Sequence, residues 1–315
     1  MRIAIVGAGS MGSLFGGLFA RAGNDVWLVD KRADHIDAVR SNSLRMTFPG
    51  GEWLVPVNAT TDPAEPGAAD LILFFVKSFD TFAAAQEAKP LLGLETIAMS
   101  LQNGLGNPEK IAEGLGIDRV IAGVTVIGAA LVAPGHIEIT PTAATKGGGT
   151  TIGPWLDGVE RNVVEDIAAV LDQAKVLTHV LDDVGVLIWT KLALAASMAS
   201  LTAVSRLRVG GITSSKNGQS LMTEIIDEIV AVAQAKGIAL NRDEILDQAK
   251  QTFAGIQDHT TSMSEDVRSQ RRTEIGALNG AVVEEAEKLG VDAPVNRVMT
   301  RLIRLTEERY GKTMG

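Results

Sequence analysis

The chain has 315 residues, of which 46% are hydrophobic and 21% charged, and carries a net charge of −9. That length points to about two domains, and the acidic balance argues against nucleic-acid partners and anionic membrane surfaces, which select basic faces. The absence of cysteine excludes disulfides, thiolate catalysis and Cys-ligated zinc, and fits a cytoplasmic location.

Arg2 to Val6 is a short apolar run with strand character, and Ser10 to Ala22 has helical character, stopped by Gly23-Asn24. Glycines at 7, 9, 12, 16 and 17 interrupt this stretch, which suits a strand, turn and helix better than a signal peptide. Val26 to Val29 is a second strand, ending at Asp30. Further buried strands are expected at Leu71 to Val76, Thr96 to Leu101 and Val120 to Gly128. Helical stretches, among them Phe79 to Ala88 and Glu109 to Leu115, lie between them. The alternation predicts an α/β fold with a doubly wound parallel sheet.

A glycine-rich region follows. Strands are expected at Gly135 to Thr140 and Thr150 to Gly153, with a turn at Lys146 to Gly149. A helix over Val159 to Ala174 and a strand at Val176 to Val180 complete this half. Beyond Asp182 strand signals vanish. Five helices are expected: Asp183 to Val204, Gln219 to Lys236, Arg242 to Phe253, Ser264 to Leu289 and Pro294 to Arg309. The domains are therefore placed at 1–181 and 182–315, the second all-helical. No membrane-spanning segment is expected; the apolar stretch from Val120 to Pro134 is too short and too glycine-rich.

Gly7-Ala8-Gly9-Ser10-Met11-Gly12 matches GxGxxG between a strand and a helix. Gly7 permits the tight turn, Gly9 lets the backbone approach a pyrophosphate, and Gly12 allows close helix–strand packing. Free N–H groups at the helix start bind phosphate. Asp30, 23 positions after Gly7, ends the second strand, where an acidic residue receives the adenosine ribose hydroxyls. This is the Rossmann fingerprint, and it favours NAD. Lys31 and Arg32 follow directly and leave NADP open, since either could pair with a 2′-phosphate. The four histidines, His35, His136, His179 and His259, form no metal-binding spacing, and no metal is expected.

Three later segments resemble the ketopantoate reductase family (2-dehydropantoate 2-reductases). They are Ser100-Leu101-Gln102-Asn103-Gly104-Leu105-Gly106, Trp189-Thr190-Lys191-Leu192-Ala193, and Ser262-Met263 with Asp266, Arg268, Thr273-Glu274-Ile275 and Asn279-Gly280. Their order and spacing agree from Met1 to about Tyr310. The resemblance implies NAD(P)H-dependent reduction of a 2-oxo acid to the 2-hydroxy acid. It implies that Lys191 is the catalytic lysine, that Glu274 stands near substrate and cofactor, and that Ser262 holds the substrate carboxylate. Asn103 and Lys77 would line the cofactor and substrate cleft, and Ala129 would touch the cofactor through its backbone. The chemistry is reasonable in itself: hydride delivery to a 2-oxo carbon builds negative charge on oxygen, which a positioned ammonium stabilises and then protonates. Plainer roles exist for the same residues. Lys191 could snorkel at a helix surface, Ser262 could cap a helix with Glu265, Glu274 could be a solvated helix charge, and Asn103-Gly104 could be an ordinary turn.

One feature departs from the family pattern. Asparagines expected four and eight residues after the lysine are Ala195 and Ala199. On a helix they share the Lys191 face with Met198 and Thr202, whereas Ser197 and Ser200 project elsewhere. A wider, less polar cavity suits a bulkier 2-oxo acid and points to an NAD-dependent dehydrogenase of a different hydroxyl substrate. A non-catalytic dinucleotide-binding protein is a third reading, disfavoured because a sensor needs no proton donor. The apolar faces of the helical half are compatible with a homodimer.

Overall fold

The computed structural model describes residues 1–140, 149–156 and 158–311; the turn expected at Lys146 to Gly149 lies largely outside them. The chain divides into two compact units. One comprises Met1–Gln102 and Asn107–Val184, the other Asn103–Gly106 and Gly185–Gly315.

The first unit is built on an eight-stranded sheet. Within it β1 (Arg2–Val6) is flanked by parallel β2 (Asp25–Val29) and β6 (Ala69–Phe74). The order continues through β7 (Leu92–Ser100), β8 (Val120–Thr125), β11 (Thr150–Pro154) and β12 (Thr178–Val180) on one side, and β5 (Asn58–Thr60) on the other. Only the β8–β11 pairing is antiparallel. The chain passes from β1 through α1 (Ser10–Arg21) to β2, then returns to the opposite side of β1 as β6. The carboxyl end of β1 is therefore a topological switch point, where open α/β sheets leave a crevice. Residues Ile3 to Val6 are buried, as expected for a strand covered on both faces.

In a second sheet, of order β4-β3-β10-β9, only β10 coincides with an expected strand, that over Gly135 to Thr140; β3, β4 and β9 have no counterpart in the sequence reading. This sheet pairs β3 (Leu44–Phe48) with β4 (Gly51–Val55) and with β10 (His136–Ile139), and β10 with β9 (Ala129–Ala133). Leu44, Met46 and Ile137 join the core that holds Leu14, Phe15 and Phe19 of α1. Among the remaining helices of this unit are α2 (Ala33–Asn42), α3 (Thr81–Glu87), α4 (Asn107–Leu115) and α5 (Arg161–Gln173).

The second unit is helical. Its central element is α6 (Gly185–Ser205), the one helix among the described residues long and apolar enough to cross a membrane. Its Trp189, Leu192, Ala193 and Ala196 are buried in a core with Ile225, Ile226 and Ile229 of α8 (Lys216–Ala235). The short α7 (Val209–Thr213) was not foreseen. It precedes α8, and α9 (Arg242–Ala254), α10 (Ser262–Arg268), α11 (Asn279–Leu289) and α12 (Pro294–Glu307) follow.

The single helix expected over Ser264 to Leu289 is broken into α10 and α11. Gln270 adopts a left-handed conformation, with φ 52°. Arg271 N–H then donates to the Asp266 carbonyl at 2.8 Å and Gln270 N–H to that of Val267 at 3.1 Å. This pattern satisfies the last carbonyls of α10 and ends it. Glu274 consequently lies on the linker between two helices and not on a helix.

Candidate active site

The glycine turn follows β1 directly. Gly7 has φ +97°, and a Cβ there would stand 2.5 Å from the Val76 nitrogen. A Cβ on Gly12 would stand 1.9 Å from the Gly7 carbonyl oxygen, so only glycine lets α1 start this close to the strand. Gly9 differs: a Cβ there meets nothing within 4 Å. The turn thus presents open space at the residue whose backbone is expected to approach a pyrophosphate. Gly9 caps α1 without a side-chain hydrogen bond, and no acidic residue occupies its first turn, which begins with Ser10 and Met11. These amides and the helix dipole form an anion site. The residues present therefore fit a dinucleotide.

Asp30 is bound to that turn. Its Oδ2 accepts the Ala8 N–H at 2.7 Å and its Oδ1 accepts the Arg32 N–H at 2.9 Å. Lys31 is highly exposed and lies 3.4 Å from Asp80. Lys77 is half-buried in the loop after β6, next to Val76, whose backbone packs against Gly7. Ala129 opens β9 in the four-stranded sheet, paired with Ile139.

The helical unit contains a cavity of about 290 Å³, lined by Asn103, Lys191, Ala195, Ala199, Ser262 and Glu274. These residues meet around one partly open space, from segments more than 170 positions apart (Asn103 to Glu274), whereas Lys77, expected to line the same cleft, is not among its lining residues. Asn103 is held by the turn that follows it. Gly104 has φ +86°, and Leu105 N–H donates to the Ala277 carbonyl at 2.9 Å. Lys191, Ala195 and Ala199 share a face of α6 at four-residue spacing, with Met198 beside them. Ser197 and Ser200 turn their hydroxyls back to the Leu194 and Ala196 carbonyls, at 3.1 and 2.8 Å.

Ser262 is not the cap of α10. That role belongs to Thr261, whose Oγ1 accepts the Ser264 N–H at 3.3 Å. The Ser262 side chain stands on the exposed wall of the cavity instead. Lys191 is half-buried, and desolvation pushes its ammonium from its ordinary 10.5 down to about 8. Such a group is still mostly protonated at neutral pH and gives up its proton readily, as a general acid must.

The cavity is also lined by residues to which the sequence reading gave no role. Val209, Phe253 and Ile256 add apolar surface, while His259 and Asp266 add polar groups. Asp266 is buried and paired to Arg271 at 3.0 Å. It fell within the third resembling segment but carried no assigned role. The others converge only through the packing of α7, α9 and α10, which no local periodicity announces.

Residues 3–156 match the family model described as ketopantoate reductase PanE/ApbA, and residues 183–307 match its C-terminal counterpart. The chain belongs to the ketopantoate reductase family. It is 32% identical over 309 residues to the 2-dehydropantoate 2-reductase of Streptococcus pyogenes serotype M1, covering 98% of each chain. With that of Pyrococcus abyssi it shares 33% identity over 313 residues, 99% of this chain and 100% of the relative. Among solved structures, a family ketopantoate reductase from Ralstonia eutropha JMP134 superposes with a TM-score of 0.89 at 32% identity, covering 98% of this chain and 99% of the other. A D-mandelate dehydrogenase in ternary complex with NADH and anilino(oxo)acetate superposes with a TM-score of 0.92 at 26% identity, covering 99% and 100%. Membership makes this ketopantoate reductase family protein a pyridine-nucleotide-dependent oxidoreductase.

Proposed function

We propose that the protein reduces a 2-oxo acid to the 2-hydroxy acid with NADH, and that the substrate side chain is bulkier and less polar than that of ketopantoate. The observation that carries the substrate class is the apolar surface of the cavity. Ala195, Met198 and Ala199 line it, as do Val209, Phe253 and Ile256. The D-mandelate dehydrogenase that this chain resembles was solved with an aromatic 2-oxo acid derivative, anilino(oxo)acetate, which supports the reading. The cofactor preference rests on Asp30, whose carboxylate opposes a 2′-phosphate.

The dinucleotide would be held by Gly7 to Gly12 and Asp30, and when bound it supplies the hydride. Lys191 stabilises the negative charge that develops on the 2-oxo oxygen and passes its Nζ proton to it, leaving a neutral amine. Ser262 and Asn103 bring neutral hydrogen-bonding groups to the same cavity for the substrate carboxylate. Glu274 brings an acceptor to it. The apolar wall excludes water from the side-chain end of the substrate.

A second reading, ketopantoate itself, is favoured by the names of the curated relatives at 32–33% identity. Steady-state assays with NADH and NADPH against ketopantoate, phenylglyoxylate and 4-methyl-2-oxopentanoate separate the two. The proposal expects the highest kcat/KM for an apolar acid with NADH. Preferential turnover of ketopantoate with NADPH would refute it.

A further inference from the structure

Beneath the glycine turn lies a chain of buried hydrogen bonds that begins at the hairpin between β9 and β10. Gly135 N–H donates to Nδ1 of His35 at 3.0 Å, and Nε2 of the same ring lies 3.1 Å from Ser13 Oγ. Ser13 Oγ donates to the Ala8 carbonyl at 2.9 Å. His35 and Ser13 are both 0% exposed. Because Nδ1 accepts, the proton of the neutral ring sits on Nε2 and is donated to Ser13. The serine has one hydrogen, and it goes to Ala8. The chain therefore has a single direction, Gly135 to His35 to Ser13 to Ala8, in which each bond polarises the next. Burial, with a smaller contribution from the Arg32 charge, favours the neutral ring that this direction requires, against the opposing charges of Asp30 and Asp34.

The Ala8 carbonyl belongs to the peptide plane whose nitrogen is that of Gly9. In a trans peptide the C=O and N–H point in opposite directions. Anchoring the carbonyl inward on Ser13 aims the Gly9 N–H outward, on the residue where an added Cβ meets open space. The preceding peptide plane is held independently, by Asp30 on the Ala8 N–H. Both planes flanking Ala8 are thus fixed before any ligand arrives, and the amide offered to a phosphate need not be ordered on binding.

We propose that Ser13 and His35 are positioning residues for the dinucleotide, acting through Ala8 to aim the Gly9 amide at the pyrophosphate. This rests on the reading of the glycine turn as the pyrophosphate site. A test uses the full-length protein with Ser13→Ala, His35→Phe and His35→Gln. Affinities for ADP-ribose and for adenosine, which lacks the pyrophosphate, are measured by calorimetry. KM for NADH and kcat at saturating NADH are measured alongside.

Ser13→Ala and His35→Phe are expected to weaken ADP-ribose by about tenfold, the effect of one charge-assisted hydrogen bond, and to leave adenosine unchanged. KM for NADH rises while kcat holds. His35→Gln, which restores an N–H toward Ser13, keeps the ADP-ribose affinity within about twofold of the parent. Parent-like ADP-ribose affinity in Ser13→Ala and His35→Phe would overturn the proposal. So would equal losses for the two ligands, the mark of a general disordering, or a His35→Gln variant as impaired as His35→Phe. Failure of the parent protein to bind ADP-ribose would instead overturn the dinucleotide reading, and the proposal with it.

Discussion

Asp30 and Ala8, 22 residues apart, are joined by a 2.7 Å hydrogen bond from the backbone amide to the carboxylate. The second oxygen of Asp30 accepts the Arg32 amide at 2.9 Å. The side chain expected to choose between NAD and NADP therefore also braces the glycine turn. Asp30→Asn replaces two acceptor oxygens by one acceptor and one donor, and no rotation of the amide satisfies both N–H groups. It also removes the charge that opposes a 2′-phosphate next to Lys31 and Arg32. The expected outcome is a loss of about tenfold or more in kcat/KM with NADH, with a rise in the NADPH-to-NADH ratio. Steady-state kinetics with both cofactors check this, and an unchanged ratio would remove Asp30 from cofactor choice.

Lys191 should impose a recognisable pH dependence. Its ammonium, lowered to about 8 by desolvation, is the form needed for reduction. The kcat/KM for reduction is expected to fall as pH rises through about 8, while oxidation of the hydroxy acid, which needs the neutral amine, rises over the same range. Lys191→Ala should lose about 3 kcal/mol of transition-state stabilisation, on the order of a hundredfold or more in kcat/KM. pH–rate profiles in both directions provide the check.

The same shift has a consequence for stability. With a folded value of about 8 and an ordinary value of 10.5, the unfolded chain binds more protons between these limits, so this group makes stability rise with pH there. Below about 8 the buried ammonium costs stability throughout. Lys191→Met is therefore expected to be inactive yet more stable at pH 7, by on the order of 1–3 kcal/mol, with the gain shrinking as pH approaches 10.5. Thermal unfolding at pH 7 and at pH 10 measures the difference. A destabilised variant at pH 7 would show that Lys191 is more than compensated where it sits.

What was legible in the sequence was what is encoded locally. The β1–α1–β2 unit follows from glycine spacing and two apolar strands. The face carrying Lys191, Ala195 and Ala199 follows from helical periodicity alone. Glu274 falls inside the helix expected over Ser264 to Leu289, while the break depends on the positive φ of Gln270, a residue type that does not advertise it. The strands β3 and β4 are short, and the burial of Leu44 and Met46 arises from packing with α1 rather than from a long apolar run. Phe253, Ile256 and His259 gave no local sign of a ligand site, because the wall they form exists only once α9 and α10 fold against α6.

The alanines of α6 offer a direct test of substrate class. Ala195→Asn with Ala199→Asn would place two amides on the cavity face below Lys191 and reduce its volume. The expected outcome is about tenfold lower kcat/KM for phenylglyoxylate and a gain of similar size for ketopantoate, whose hydroxyl gains partners. The ratio of the two kcat/KM values is the measurement. A ratio that does not move would mean that the substrate side chain binds away from this face.

Gly9 and Gly12 separate binding from folding within one turn. At Gly12 a Cβ would fall 1.9 Å from the Gly7 carbonyl oxygen, a backbone atom that cannot yield without moving β1 or α1. Gly12→Ala is expected to cost several kcal/mol of stability, on the order of 2–4, and to lose activity through loss of the fold. At Gly9 the φ of −67° is ordinary for any residue, and a Cβ meets nothing within 4 Å. Gly9→Ala should therefore melt within about a degree or two of the parent, since its only folding effect is the small gain from a stiffer unfolded chain. Its methyl group nevertheless occupies the space through which a pyrophosphate reaches the backbone. The expected result is a stable protein whose KM for NADH rises at least tenfold. Thermal melting and cofactor titration of the two variants decide the matter together: if Gly9→Ala bound NADH normally, the open side of the turn would not be the pyrophosphate site.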